Sequence, residues 1–174
     1  MKKIKVSEII MISHVLESAK YTELEKDDKV KLLRIILTMK DAADKFEADT
    51  KVVVDKLKAS DYKDYDKHLA DAQEFERLQR TNGDMSKSPM GAAEHKKFIE
   101  EEFLPLNKLV DDTMKPHAEK EVEFEPLSES AFEKFMSSND WTIGQVVSLR
   151  SYLVEDKKKE DAPAEDKTKK SKKK

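Results

Sequence analysis

The amino-acid sequence predicts a mainly α-helical protein. Its centre is an antiparallel long helical hairpin with short flanking helices and a minor two-stranded β ribbon, followed by a disordered Lys-rich C-terminal tail. Three observations lead there. Charged residues make up 41% of the 174 residues and hydrophobic ones 37%, with only three Gly. That balance suits long helices with one buried stripe and a wide solvated face, not a loop-rich fold with a thick core. A heptad-like apolar seam runs through the middle of the chain, and its two ends carry short segments that alternate charged and apolar residues.

The seam starts at Leu32 and steps through Ile36, Met39, Ala43, Phe46, Thr50, Val53 and Leu57. The steps alternate four and three residues, as in a coiled coil, with one polar interruption at Thr50. Leu33, Ile35, Leu37, Val52 and Val54 widen the stripe. The helix should begin near Asp27 or Asp28, where acids favour the positive end of the helix dipole, and run to about Ser60. "SDYKDYDKH" either ends it or bends it. Tyr62, Tyr65, Leu69, Ala72, Phe75 and Leu78 continue a helical pattern to Arg80. "TNGDMSKSPMG", Thr81 to Gly91, is the clearest loop in the chain, with Asn-Gly, Ser-Pro and a further Gly. The next helix starts near Ala92 and carries Phe98, Ile99, Phe103, Leu106, Leu109, Val110 and Met114. Pro105 should kink it, and Pro116 lies near its end. Two long helical arms joined by one loop fold back on each other most simply as a hairpin, crossing near about 20°. Phe46 is then a core anchor of the seam. A parallel two-chain coiled coil is the competing arrangement; a seam under four heptads that mixes Ala, Thr and Phe specifies it poorly.

"KKIKV" (Lys2 to Val6) alternates cationic and apolar residues, and "EVEFE" (Glu121 to Glu125) alternates anionic and apolar ones. Both have the period of a strand. If they pair, Ile4 and Val6 share a face with Val122 and Phe124, while Lys3 and Lys5 stand near Glu121, Glu123 and Glu125. Ser7 and Ser128 are candidate N-caps for the helices that follow, with Ser130 and Glu133 as a rival capping box. "NDWTIGQVVSLRSYLV" reads as a turn and a last helix. Thr142 and Gln145 have capping-box spacing, and Trp141 and Val146 have the spacing of a hydrophobic staple. Trp141 is therefore expected to be a structural anchor rather than a ligand-stacking platform, and Phe124 an anchor of the ribbon. Gly144 is expected to let another element approach closely.

The residues exclude more chemistry than they suggest. No Cys is present, so there is no disulfide framework, thiolate metal site or thiol nucleophile. No Gly-rich phosphate loop, His-Glu-x-x-His pattern or Gly-x-Ser-x-Gly elbow occurs. The four His (14, 68, 95 and 117) are scattered. Glu94-His95 with Glu101-Glu102 is the nearest approach to a metal set, but neighbouring carboxylates arise by chance in so acidic a chain. Paired acids such as Asp27-Asp28 and Asp111-Asp112 read as solvated helix surface, where carboxylates are not shifted for catalysis. The expectation is a non-enzyme without cofactor or metal. The N-terminal apolar run is interrupted by Ser7, Glu8, Ser13 and His14, unlike a signal peptide, and no stretch is long and apolar enough to span a bilayer.

Residues 1–155 form one expected helical domain and residues 156–174 a tail. The tail holds nine Lys against five acids, and the remaining 155 residues hold 25 basic and 32 acidic side chains. It lacks any aliphatic side chain larger than Ala, so it cannot offset the entropy of ordering. It serves either as a solubilising segment or as a weak electrostatic contact with nucleic acid through Lys167, Lys169, Lys170, Lys172, Lys173 and Lys174.

The "KIKVSEI" start, the "EVEFEPLSESAF" strand and turn, and the closing "TIGQVVSLRSYLVE" helix around a long charged hairpin resemble a family of small uncharacterised proteins encoded by tailed bacteriophages and prophages. The resemblance covers Lys2 to Glu155 and is carried by the terminal segments. It implies a phage context among virion structural and assembly genes, with protein partners in the virion and a location in the virion or host cytoplasm. It brings no activity and no catalytic residues. The first functional expectation is a structural or assembly protein that docks on larger capsid or tail proteins. The alternative is a nucleic-acid-associated accessory using the tail, and the third is a small regulator or inhibitor of a host protein. Only four Arg (34, 77, 80 and 150) are present, which disfavours groove readout of DNA.

Overall fold

A computed structural model describes residues 1–155. The chain is mainly helical. Strand β1 (Lys2–Lys5) leads directly into helix α1 (Val6–Glu17), and a turn leads to the long helix α2 (Lys26–Asp61). Helix α3 (Tyr65–Arg80) extends the same arm. After the loop come α4 (Ala92–Phe98), a π-helical turn (Ile99–Phe103) and α5 (Leu104–Ala118), which form the returning arm. Strand β2 (Glu121–Phe124), α6 (Glu129–Ser137) and α7 (Ile143–Leu153) close the structure.

The two arms run antiparallel. Asp49 of α2 lies opposite His117 of α5, and Glu76 of α3 lies opposite His95 of α4. The ascending arm breaks at Tyr62, whose backbone leaves the helical region (φ −135°, ψ 52°). "SDYKDYDKH" therefore ends α2 rather than bending it. The returning arm stays continuous past Pro105. Proline removes one amide donor and crowds the carbonyl four residues earlier. The chain absorbs this in the π turn just before it, where the Leu104 amide reaches back to the Ile99 carbonyl. Pro116 is accommodated inside α5, two residues before its end.

At the tip, α3 closes on itself. The Gly83 amide donates to the Leu78 carbonyl at 2.8 Å, and Asn82 takes the left-handed conformation at φ 49°. This is the usual way to satisfy the last carbonyls of a helix. A Cβ at Gly83 would come within 2.8 Å of Leu78 Cδ2, so the glycine here is a matter of space. Met85 stays exposed beyond the turn, whereas Met90 folds back and is buried.

β1 and β2 pair antiparallel, with Lys3 opposite Glu123 and Ile4 opposite Val122. The predicted ribbon is present, but Val6 belongs to α1 and not to the strand. Ser7 is not the cap either. α1 starts one residue earlier, and Glu8 accepts a hydrogen bond from the Lys5 amide at 2.9 Å, doing the capping from inside the first turn. Ser128 is the cap of α6, accepting from the Ala131 amide at 3.1 Å. The rival box at Ser130 and Glu133 is not used.

Two separate cores result among the described residues. The larger lies where both ends of the described chain meet the hairpin base, around Ile9, Leu32, Ile35, Leu127, Phe135 and Leu149. The smaller sits in the outer hairpin, around Tyr65, Ala72, Phe75, Phe98 and Leu106. Between them the seam is thin. Leu32, Ile35 and Met39 are the fully buried residues of α2. Ile36, Ala43, Phe46, Thr50, Val53 and Leu57 are only half-buried, because α1 and α5 pack on part of the circumference of α2 and leave the rest to solvent. Leu33, Leu37 and Val52 are exposed.

Candidate functional site

The most specific local geometry lies at the base, where the sequence concentrates its capping signals. Thr142 and Gln145 form the expected box: the Thr142 amide donates to Gln145 Oε1 at 2.9 Å and the Gln145 amide to Thr142 Oγ1 at 3.3 Å. Trp141 packs edge-on against Phe135, ring centres 4.9 Å apart, and is half-buried against the main core together with Val146. Phe124 is buried in the same core. Leu127 then clamps the end of α7. Its amide donates to the Leu153 carbonyl at 2.8 Å, and its carbonyl accepts from the Glu155 amide at 3.3 Å. Lys2 Nζ adds a bond to the Val154 carbonyl at 2.7 Å, so the two ends of the described chain touch.

Charge holds the outside of this clasp. Lys3 lies 3.3 Å from Glu121 and 3.2 Å from Glu123. Lys5 turns away to Glu119, and Glu125 is taken by Lys31 of α2 at 2.7 Å. The hydrogen bonds from Lys5 and Lys31 hold the carboxyls of Glu119 and Glu125 below the usual carboxylate range. Lys134 does the same to Glu25, tying α6 to the start of α2. Arg150 makes a two-pronged bond to Glu129 at 2.7 and 2.8 Å, joining α7 to α6.

One consequence was not expected from the sequence. With Leu149 and Leu153 buried, α7 turns Ile143 and Val147 outward, 84% and 61% exposed. Gly144 follows Ile143, with no heavy atom of the described residues within 4 Å of the place a Cβ would take. The expectation that Gly144 admits a close neighbour fails: it lies on the open side, and α7 packs through its opposite face. The result is a small apolar facet on a helix start fixed by Trp141 and the capping box.

A second apolar surface lies along α2. Residues of α1 (Ile10, His14, Glu17) and of α2 (Met39, Ala43, Phe46) line an open groove of about 580 Å³. Phe46 is therefore a groove wall and only a partial core residue. The groove lining also includes Ser13, Thr50 and the charged residues Lys40, Asp44, Glu47 and Lys51.

The hairpin places three of the scattered histidines against acids of the facing arm, two of them in its outer part and His117 near its base. His68 Nδ1 lies 2.9 Å from Glu102, His95 Nε2 lies 3.2 Å from Glu76, and His117 Nδ1 lies 3.5 Å from Asp49. His95 also stacks on Phe75, ring centres 4.7 Å apart. No sequence spacing announces these pairs, because each joins residues from opposite arms. The set Glu94, His95, Glu101 and Glu102 does not converge. Glu94 accepts from the Gly91 amide, His95 turns to Glu76, and Glu102 turns to His68. Among the described residues no group of three or more His, Asp or Glu could hold a metal ion, and none of the buried residues is polar or charged. No described helix is long and apolar enough to cross a membrane. Lys167, Lys169, Lys170, Lys172, Lys173 and Lys174 lie outside the described residues. No family model, no curated protein and no solved structure matches the chain.

Proposed function

We propose that the chain is a non-enzymatic virion structural or assembly protein of a tailed phage that docks on a larger capsid or tail protein. The observation that carries this reading is the Ile143–Gly144–Val147 facet. Two large apolar side chains one helical turn apart stand in water beside a glycine, on a helix whose entry is fixed by a cap and a Trp and whose far end is held by an Arg–Glu fork. Exposed apolar surface on a rigid element suits protein docking, since little side-chain or backbone entropy is lost on association. The resemblance of the terminal segments to phage proteins supplies the context, and the facet is built from one of those segments. The nucleic-acid alternative rests on the Lys-rich tail alone.

The test is complementation of a phage that lacks the gene. The variant Ile143→Ser with Val147→Ser should keep the helical spectrum and melting temperature, because both side chains are already in water. It should also fail to support normal particle yield. A folded variant that restores full yield would overturn the reading.

A further inference from the structure

We propose that two copies of this chain associate antiparallel through the open groove face of α2, about a two-fold axis beside Ala43. The groove side of α2, bordered by α1, has its own heptad spacing. Leu33, Ile36, Lys40, Ala43, Glu47, Thr50 and Val54 follow each other at alternating steps of three and four. From Ile36 onward these residues line the groove, and Leu33 joins an apolar recess that shares Ile36. Leu33 is 53% exposed although it starts this apolar line. The stripe from Leu33 to Val54 is about 32 Å long at the helical rise.

The order of residues along the stripe is self-complementary when reversed. With Ala43 on the axis, Leu33 lies opposite Val54 of the second copy and Ile36 opposite its Thr50. Lys40 lies opposite its Glu47, and the symmetry repeats each pair. Apolar ends meet apolar ends, and the cation meets the anion on both sides of the centre. The smallest side chain of the stripe sits where the two helices come closest. A parallel pairing in register would instead set Lys40 against Lys40 and Glu47 against Glu47, at a cost from like charges. The contact is isologous and closes on itself.

Because the chain contains no Cys, disulfide trapping reads the geometry directly. Purified full-length Ala43→Cys should oxidise to a linked dimer. Leu33→Cys should not, since the two positions would stand about 30 Å apart across the axis. Cross-linking of both would indicate a parallel pair and overturn the proposal. Cross-linking of neither, with a single-chain mass in analytical ultracentrifugation, would show that the face is free or reserved for another protein, and would also overturn it. The charge pattern gives a second test without a disulfide. Lys40→Glu and Glu47→Lys should each weaken self-association at least tenfold, and the double exchange should restore it. Single variants that dimerise like the parent would contradict the pairing.

Discussion

Phe46 and Phe135 look alike in the sequence and differ in the structure. The seam makes Phe46 a core residue whose loss would cost about 3–5 kcal/mol. It is in fact half-buried on the wall of the α2 groove, so Phe46→Ala should cost less, about 1–2 kcal/mol. Phe135 is fully buried between Phe132 and Trp141, and Phe135→Ala should cost the full 3–5 kcal/mol or so. Chemical denaturation of the two variants at a concentration where the chain is monomeric checks the contrast; equal losses would mean that Phe46 is covered within one chain. Gly83 and Gly144 make a similar pair. Gly83→Ala meets the Leu78 side chain and should destabilise the tip, whereas Gly144→Ala enters open space on a helix and should stabilise by up to about 1 kcal/mol. Position in a periodic pattern does not distinguish these residues. What covers them does, and that depends on elements far away in sequence.

At the scale of elements, the ribbon was legible because charge and period agreed in both segments. Its exact partners were not, since Val6 entered α1 and drew Lys5 toward Glu119. A charge-reversal test of the ribbon therefore belongs at Lys3. Lys3→Glu should lower the melting temperature slightly, and adding Glu121→Lys with Glu123→Lys should restore part of the loss. Strictly additive effects would show that Lys3 does not face the two acids in solution. Acid should loosen the same clasp. The carboxyls of Glu119, Glu125 and Glu25 are held below their ordinary range by Lys5, Lys31 and Lys134. Their stabilising effect is present above the ordinary carboxylate pKa of about 4.3 and is lost as pH falls through the lowered values. Melting temperatures measured downward from about pH 5 should fall, and should fall less for Lys31→Gln. Because these groups are exposed, salt should flatten the dependence. The capping signals at Ser128 and Thr142 were readable because a cap is local. The π turn was not, although the proline that causes it was.

For the whole molecule, the sequence supports one hairpin and the structure divides it into two cores joined by a thin middle. The reason is geometric. An arm has one buried stripe, but only the base of the hairpin has α1, α6, α7 and the ribbon to cover its other sides. Hydrogen exchange should therefore show the base opening at the highest free energy and the α3–α4 end at a lower one. A single uniform opening energy would contradict the division. The outward faces of α2 and α7 were the least legible part of the candidate site. An exposed apolar residue in a stripe is indistinguishable from a buried one until its neighbours are placed. The tail is a separate matter of charge. Removing Lys157 to Lys174, which lie outside the described residues, should leave the melting transition unchanged. If the tail contacts DNA, truncation should abolish a salt-sensitive affinity, and no DNA binding by the full chain at low salt would exclude that role.

The central claim is that this chain works by docking within a virion or its assembly intermediates. Quantitative mass spectrometry of purified particles and of assembly intermediates tests it most directly. The claim predicts the chain at a fixed ratio to a capsid or tail protein in one of those fractions. Its absence from all of them, while it is abundant in the infected-cell extract, would contradict it.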